Sequence, residues 1–406
     1  MRTITARVAA VRRALDPQHV GRRAGRLGDV VPDRTPRRPA IAAVGLLLGL
    51  VATAATESCA NASSPTSQPL TISAGLSQTH FWVGHYLDPF ADAIEAETDL
   101  AFTRFYAGEL VAVGGELDAL ESGVISVAAP MLAPYHEGRF PLSDVTQLPT
   151  YGTDARMITR AFQRLLASET EVTDGKTFYD YEIGDKGLVA WGLGATGAYA
   201  ISTTGAELNR VVDFRGMPIR AGSALHTIVL ERLGVTPVTM PAASAYEALS
   251  RGTLDGVILS IGDWVSYSLE ELLTYTITDV AIGHWQSYLA VTQRTWNSLT
   301  DQQRASWVRV ADAVTTRNAE YIDEQDRAVQ ARARANDATF VAVDQLPAAM
   351  RDHIGRAASE TWTQWVQQTE QNGHPARATA VLWAELVRAE GGGLPEGVAD
   401  SLGLEP

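Results

Sequence analysis

Residues 217–260 read MPIRAGSALHTIVLERLGVTPVTMPAASAYEALSRGTLDGVILS, and this stretch decides the fold. The strand-like MPIR of 217–220 breaks at Ala221-Gly222, and Ser223 is placed to cap a helix whose apolar positions Leu225, Ile228, Val229 and Leu233 share one face. Gly234 supplies the stop, and the β-branched TPVTM of 236–240 follows as a second strand. Ser244 with Glu247 three residues on has the spacing of a capping box for a helix over 245–251; Gly252 ends it, and 254–259 is a third strand. The pattern is βαβαβ. In open parallel sheets a ligand binds beyond the carboxyl ends of the strands, and Arg220, Met240 and Ser260 stand at three such ends. A fixed planar cation there, followed by Gly222 and a helix start, suits a carboxylate held by paired hydrogen bonds. The spacing alone leaves two readings of Arg220 open, a ligand clamp or an internal salt bridge to one of the chain's 47 acidic residues.

Outward from this block the alternation continues. Residues 70–74, 100–106 and 124–129 read as strands, and 85–97 and 113–122 as helices, which implies βαβ units and a mainly parallel sheet. Residues 284–292 read as a further strand. Thr300 and Gln303 form a second capping box, opening a helix to about residue 336 with Trp307, Val310, Val314 and Tyr321 on one stripe. A helix of that length can lie across two lobes. Residues 346–390 read as helical again, and the tail after Gly391-Gly-Gly as frayed.

Composition narrows the function. With 406 residues, 46% of them hydrophobic, the chain has enough core for two domains. The formal charge is −14, yet residues 1–58 carry ten Arg against four acids, so the remainder is far more acidic than the total indicates. Lys176 and Lys186 are the only lysines. A polyanion needs clustered cations, so nucleic acid is excluded as a partner. Ahead of the acidic part stands an Arg-rich segment and then the 16-residue apolar run of 40–55, which is short for a membrane span and has the order of an export signal, with an uncleaved anchor as the alternative. Arg37-Arg38 hints at twin-arginine export, although Pro39 and the missing Phe-Leu weaken it. Cys59, the single cysteine, excludes an internal disulfide or a paired-cysteine metal site. Its place between the apolar run and a Ser/Pro-rich linker resembles a lipoprotein acceptor, against simple cleavage with an incidental thiol; Thr56 and Glu57 depart from the usual lipobox.

Several ordered motifs carry a resemblance. Asp213-Phe-Arg-Gly-Met-Pro-Ile-Arg220-Ala-Gly222, Leu233-Gly-Val-Thr-Pro-Val-Thr-Met-Pro241, Tyr246-Glu-Ala-Leu, Gly252 and Leu254-Asp-Gly256 resemble the hallmark of DctP-type solute receptors of TRAP transporters. Leu117–Gly123 and Ala133–Pro141 are similar to that family as well, and the likeness runs from about residue 70 to about 340. It implies an α/β, two-lobed periplasmic-binding-protein-like fold with hinge strands and a long lobe-spanning helix, which closes on an organic acid and delivers it to membrane permease subunits. On that plan 1–59 is a leader and 60–69 a linker; 70–193 with 283–325 forms one lobe, 194–282 with 326–390 the other, and 391–406 the tail. The resemblance makes Arg220 the carboxylate clamp. It also implies an extracytoplasmic receptor. Lipidation of Cys59 would attach that receptor to the membrane, and the sequence itself offers no cofactor motif and no metal-ligand set, while not fixing whether a bound metal helps to hold the acid.

The chain departs from many members in two places. A second hinge arginine is replaced by Gly194-Ala-Thr-Gly-Ala-Tyr199, and an asparagine after the Asp-Gly pair by Val257-Ile-Leu259-Ser260. A less polar surface then meets the distal part of the ligand, which favours an aromatic or aliphatic monocarboxylate over a sugar acid or a C4 dicarboxylate. Trp264 and Trp285 are candidates to line it, with plain core packing as the alternative for each. His80 after the first strand, Tyr135 in the Tyr-x-x-Gly region, Tyr199 and Ser260 complete the candidate ligand contacts.

Enzyme signals are weak. Gly192-Leu-Gly194-Ala-Thr-Gly197 matches a dinucleotide fingerprint literally, but a strand-like run follows where a helix is required. No HExxH, GxSxG or Walker sequence occurs. A carboxylate-dependent secreted hydrolase stays as the alternative class, because acidic pairs are available anywhere in so acidic a chain.

Overall fold

The computed structural model describes residues 68–280 and 282–405. The leader, Cys59 and nearly all of the linker lie outside the described residues. Two sheets dominate. The first has the order β2-β1-β3-β12-β6, built from β1 (Leu70–Ser73), β2 (Phe102–Phe105), β3 (Val127–Met131), β6 (Leu188–Gly192) and β12 (Tyr288–Thr292). The second has the order β13-β11-β7-β10-β8-β9, from β7 (Tyr199–Thr203), β8 (Pro218–Ala221), β9 (Thr236–Thr239), β10 (Gly256–Ser260), β11 (Tyr275–Thr278) and β13 (Thr339–Ala342). A hairpin, β4 (Glu171–Thr173) and β5 (Lys176–Thr177), stands apart.

Each sheet is parallel except for one strand. β7 runs antiparallel to β10 and β11, and β12 antiparallel to β3 and β6. The cause is the route of the chain. β7 and β12 follow directly on the short segments that cross between the sheets, so each begins where its neighbours end: Tyr199 pairs with Ser260, and Tyr288 with Met131; β13 arrives instead by way of the long helix 301–335 and is parallel to β11. The two crossing segments run side by side. Leu193 N donates to Ser287 O at 3.0 Å, Thr196 N to Trp285 O at 3.0 Å, and Trp285 N to Thr196 Oγ1 at 2.9 Å. This pair of hydrogen-bonded crossing segments joins the two sheets, where the resemblance places hinge strands.

The central block folds as its sequence indicates, with β8 parallel to both β9 and β10. Ser223 Oγ accepts from His226 N at 3.2 Å, and the helix it opens, Ala224–Leu233, ends at Gly234 with φ +86°. The Ser244–Glu247 capping box does not form. Ser244 already has helical backbone angles inside a preceding 3₁₀ turn, its side chain makes no cap bond, and Glu247 pairs with Arg251 instead. The strand expected at 124–129 begins three residues later, at Val127.

Helices cover both sheets. We number those that follow α1 (Asp88–Glu97), α2 (Ala155–Leu166), α3 (Ala224–Leu233), α4 (Asp301–Ala335), α5 (Ala348–Gln371) and α6 (Ala376–Ala389). α4 opens on the Thr300/Gln303 box, which forms in both directions, and its 35 residues extend about 52 Å. It reaches both halves: Thr315 Oγ1 donates to Gly192 O at 2.9 Å, and Gln325 Nε2 to Gly262 O at 2.7 Å. The segment expected to belong wholly to the second lobe divides between the two. α5 packs along α3, whereas α6 packs on α2, its Trp383 and Ala380 sharing a core with Phe162 and Leu165. The break at Gly373 to Pro375 lets the chain turn back. The tail is also ordered rather than frayed. Tyr151 and Gly393 exchange both backbone bonds at 2.8 Å, and Val398 is buried.

Candidate functional site

Arg220 lies on β8 and is 1% exposed. Its Nε donates to Met240 O at 3.0 Å and its Nη1 to Ile258 O at 3.1 Å, so main-chain carbonyls of the two flanking strands hold the guanidinium plane. Neither partner is an acid. Among the described residues Arg220 has no ion pair, which decides against the internal salt bridge. Gly222 is required beneath it, because a Cβ there would stand 2.8 Å from Nη2.

The guanidinium opens into a cavity of about 90 Å³ between the two sheets. Leu76, Val113, Leu132 and Trp82 contribute apolar surface, and Tyr135, Tyr199, Tyr267 and Trp285 form an aromatic wall. The Tyr135 ring is 5.4 Å from that of Trp285, which is 6.5 Å from Tyr199. Burial pushes the Tyr135 phenol up, opposed by the Arg220 cation beside it; burial and Asp263 push Tyr199 up, again against Arg220.

Asp263, 2% exposed, reaches the same cavity from the turn after β10. Its Oδ2 accepts from Ser260 Oγ at 2.7 Å, and its Oδ1 lies 3.3 Å from His80 Nε2, a residue of the opposite half. Trp82 N donates to His80 Nδ1 at 3.1 Å, so the ring nitrogen that carries hydrogen is the one facing Asp263. A second bridge between the halves joins Ser223 Oγ to Gln147 Oε1.

The same geometry places each sequence candidate. Arg220, Tyr135, His80, Tyr199 and Trp285 come together around one cavity. Ser260 does not reach it and acts on Asp263. Trp264 is fully buried and turned away, stacked on Phe340 at 6.0 Å, so the core-packing alternative holds for it. Sequence reasoning missed Asp263, Trp82, Tyr267 and Thr196. For Asp263 a signal existed, an acid three residues past a strand that ends at the sheet's mouth. Among the described residues no cluster of His, Cys and acids could hold a metal, and no helix is long and apolar enough to cross a membrane. Of the dinucleotide-like glycines, Gly192 ends β6 and Gly194 and Gly197 lie in the crossing segment, which leads into β7 rather than into a helix.

Residues 72–374 match the family model described as bacterial extracellular solute-binding protein, family 7, known as DctP. The chain belongs to that family. DctP proteins are receptors rather than enzymes, so the family gives the hydrolase alternative no support. A solute-binding protein of Albidiferax ferrireducens is 26% identical over 119 residues, which cover 29% of this chain and 34% of that relative, about a third of its length. Three solved structures share the fold. A marine metagenome TRAP solute-binding protein, in complex with metahydroxyphenylacetate, superposes with a TM-score of 0.68 at 19% identity, over 79% of this chain and 98% of its own. One from Rhodoferax ferrireducens, holding copurified benzoate, gives 0.66 at 21%, over 80% and 98%. One from Bordetella bronchiseptica, with bound mandelate, gives 0.66 at 21%, over 79% and 99%. The two-lobed α/β architecture with its crossing strands is therefore that of TRAP periplasmic receptors.

Proposed function

We propose that this DctP protein captures a compact organic acid with one carboxylate by closing its two lobes, and presents it to the membrane subunits of a TRAP transporter. The observation that carries the reading is the Arg220 guanidinium, buried, without an acidic partner among the described residues, and open to an aromatic cavity. A charge in that setting is costly unless a counter-charge arrives. A ligand carboxylate supplies one and gains charge-assisted bonds. The small cavity and its aromatic wall favour an aromatic or short aliphatic acid, and the acids named for the three similar structures are aromatic.

Closure follows from where the lining residues reside. His80 and Tyr135 belong with the first sheet, Arg220 and Asp263 with the second, and Thr196 and Trp285 with the crossing strands between them. A ligand touching all three groups stabilises the closed arrangement over the open one by its differential contacts. On this reading the leader exports the chain and Cys59 tethers it to the outer face of the cytoplasmic membrane by lipidation, within reach of the permease.

A thermal-shift screen of organic acids on the chain from residue 60 onward tests the reading. Stabilisation by compact monocarboxylates, and none by their amides or esters, is expected. Hydrolytic turnover with no stabilisation by any acid would favour the hydrolase.

A further inference from the structure

The cavity of about 90 Å³ that faces Arg220 has a larger neighbour, a groove of about 790 Å³ whose lining includes the exposed Tyr246 and Val265. The two spaces share five lining residues: Gly75, Leu76 and His80 from the first half, Ala243 and Tyr267 from the second. Gly75 has no side chain and Ala243 only a methyl, so Leu76, His80 and Tyr267 make the partition. His80 is held in place, with Trp82 N donating to its Nδ1 at 3.1 Å and its Nε2 facing Asp263 Oδ1 at 3.3 Å. The Tyr267 ring meets it edge-on from the opposite half, centroids 5.9 Å apart at 63°. The backbone behind that ring is firmly placed. Tyr267 sits in the turn after β10 between two fully buried anchors, Trp264 and Leu269, and Leu269 N donates to Trp264 O at 2.9 Å. Tyr267 N donates to Asp263 O at 3.3 Å, and Ser268 turns the chain at φ +57°. The ring is therefore a fixed wall of the cavity rather than a mobile lid.

We infer that Tyr267 sets the upper length of the captured acid: with the carboxylate on Arg220, a tail that outgrows the cavity runs into this ring instead of passing into the groove. The inference rests on the carboxylate reading proposed above and adds the residue that makes the site select short acids. The selection works by exclusion. A tail a methylene or two too long must displace the ring, and with it the contact to His80 that joins the halves, so the cost falls on closure as well as on packing. Removing the ring joins the two spaces. The carboxylate end of the site is untouched by that change, because Arg220 is anchored on the carbonyls of Met240 and Ile258.

Titration calorimetry of the intact chain with two series of acids tests this. One series is benzoate, phenylacetate, 3-phenylpropionate and 4-phenylbutyrate; the other is propionate, butyrate, hexanoate and octanoate. In at least one series the affinity of the wild type is expected to fall tenfold or more between the best-bound member and the longest. In Tyr267→Ala the fall is expected to shrink to threefold or less, or the longest acid to bind best. Tyr267→Phe keeps the ring and is expected to keep the tenfold fall. Tyr267→Leu, which shortens the side chain but leaves apolar cover on the turn, gives the same reading if Tyr267→Ala does not fold. No fall in either series, a fall that persists in the folded Ala or Leu variant, or a fall lost in Tyr267→Phe would overturn the assignment and leave the carboxylate reading standing. Failure of all eight acids to bind the wild type would contradict the carboxylate reading, and this assignment with it.

Discussion

His80 Nε2 stands 3.3 Å from Asp263 Oδ1, and the two residues approach from opposite halves of the protein. The contact exists only while the halves are together, so it belongs to the closed state. A double-mutant cycle with His80→Ala and Asp263→Ala is expected to give a coupling of about 0.5–3 kcal/mol in ligand-binding free energy. His80→Ala alone is expected to raise the dissociation rate more than it lowers the association rate. Strictly additive losses would mean that the pair does not contribute to closure.

Gly197 lies in the first crossing segment, and a Cβ there would overlap the Asp326 carboxylate of α4. The close approach, rather than an unusual backbone angle, requires glycine. Gly197→Ala is expected to cost about 1–3 kcal/mol of stability through overpacking. Adding Asp326→Ala removes the clashing carboxylate, so the double variant is expected to recover much of the melting temperature lost by the single one. No recovery would place the strain elsewhere.

The Asp326 side chain also titrates unusually. Burial pushes its carboxyl up to about 8, opposed by the Gly262 amide that donates to it and reinforced by Asp263 and Asp323. A carboxyl whose folded pKa is raised favours folding fully below its unfolded value near 4, and that contribution is lost as pH rises toward 8. Asp326→Asn keeps an oxygen for the Gly262 amide and removes the titration. Its gain in melting temperature over the wild type is therefore expected to be larger at pH 9 than at pH 5; a gain that does not vary with pH would contradict this. On the acid side, burial lowers His226 to about 3 and His284 to about 4. Their contribution is complete above the unfolded value near 6.5 and lost as pH falls through that range, so the wild type is expected to melt highest at intermediate pH.

Local signals carried the parts of this architecture that local physics controls. The apolar face of α3, the Ser223 cap, the Gly234 stop and the Thr300/Gln303 box depend on residues three or four apart, and all were readable. Ser244 had the same spacing and failed, because the turn before it fixed its backbone in a helical conformation that a cap cannot adopt. The contacts of α6 with α2, about 220 residues away in the chain, left no local trace, and neither did the pairing of Gly393 with Tyr151. The site divides in the same manner. Arg220 was visible because it interrupts an apolar strand end with a cation. Trp264 looked equivalent to Trp285, yet one packs on Phe340 in the core and the other lines the cleft, a difference set by tertiary packing that composition does not encode. Asp263 acquires its place by meeting His80 across 183 positions, which requires both halves to be folded.

Arg220 is the residue on which the account turns, and titration calorimetry of Arg220→Ala with the best-stabilising acid tests it most directly. The wild type is expected to bind at least a hundredfold more tightly, since removing one partner of a buried charge pair costs roughly 3–5 kcal/mol. Arg220→Lys is expected to recover little, because an ammonium does not keep the two carbonyl anchors and present a planar pair of donors at once. Near-ultraviolet circular dichroism should remain that of the folded protein in both variants. Unchanged affinity in folded Arg220→Ala would contradict the account.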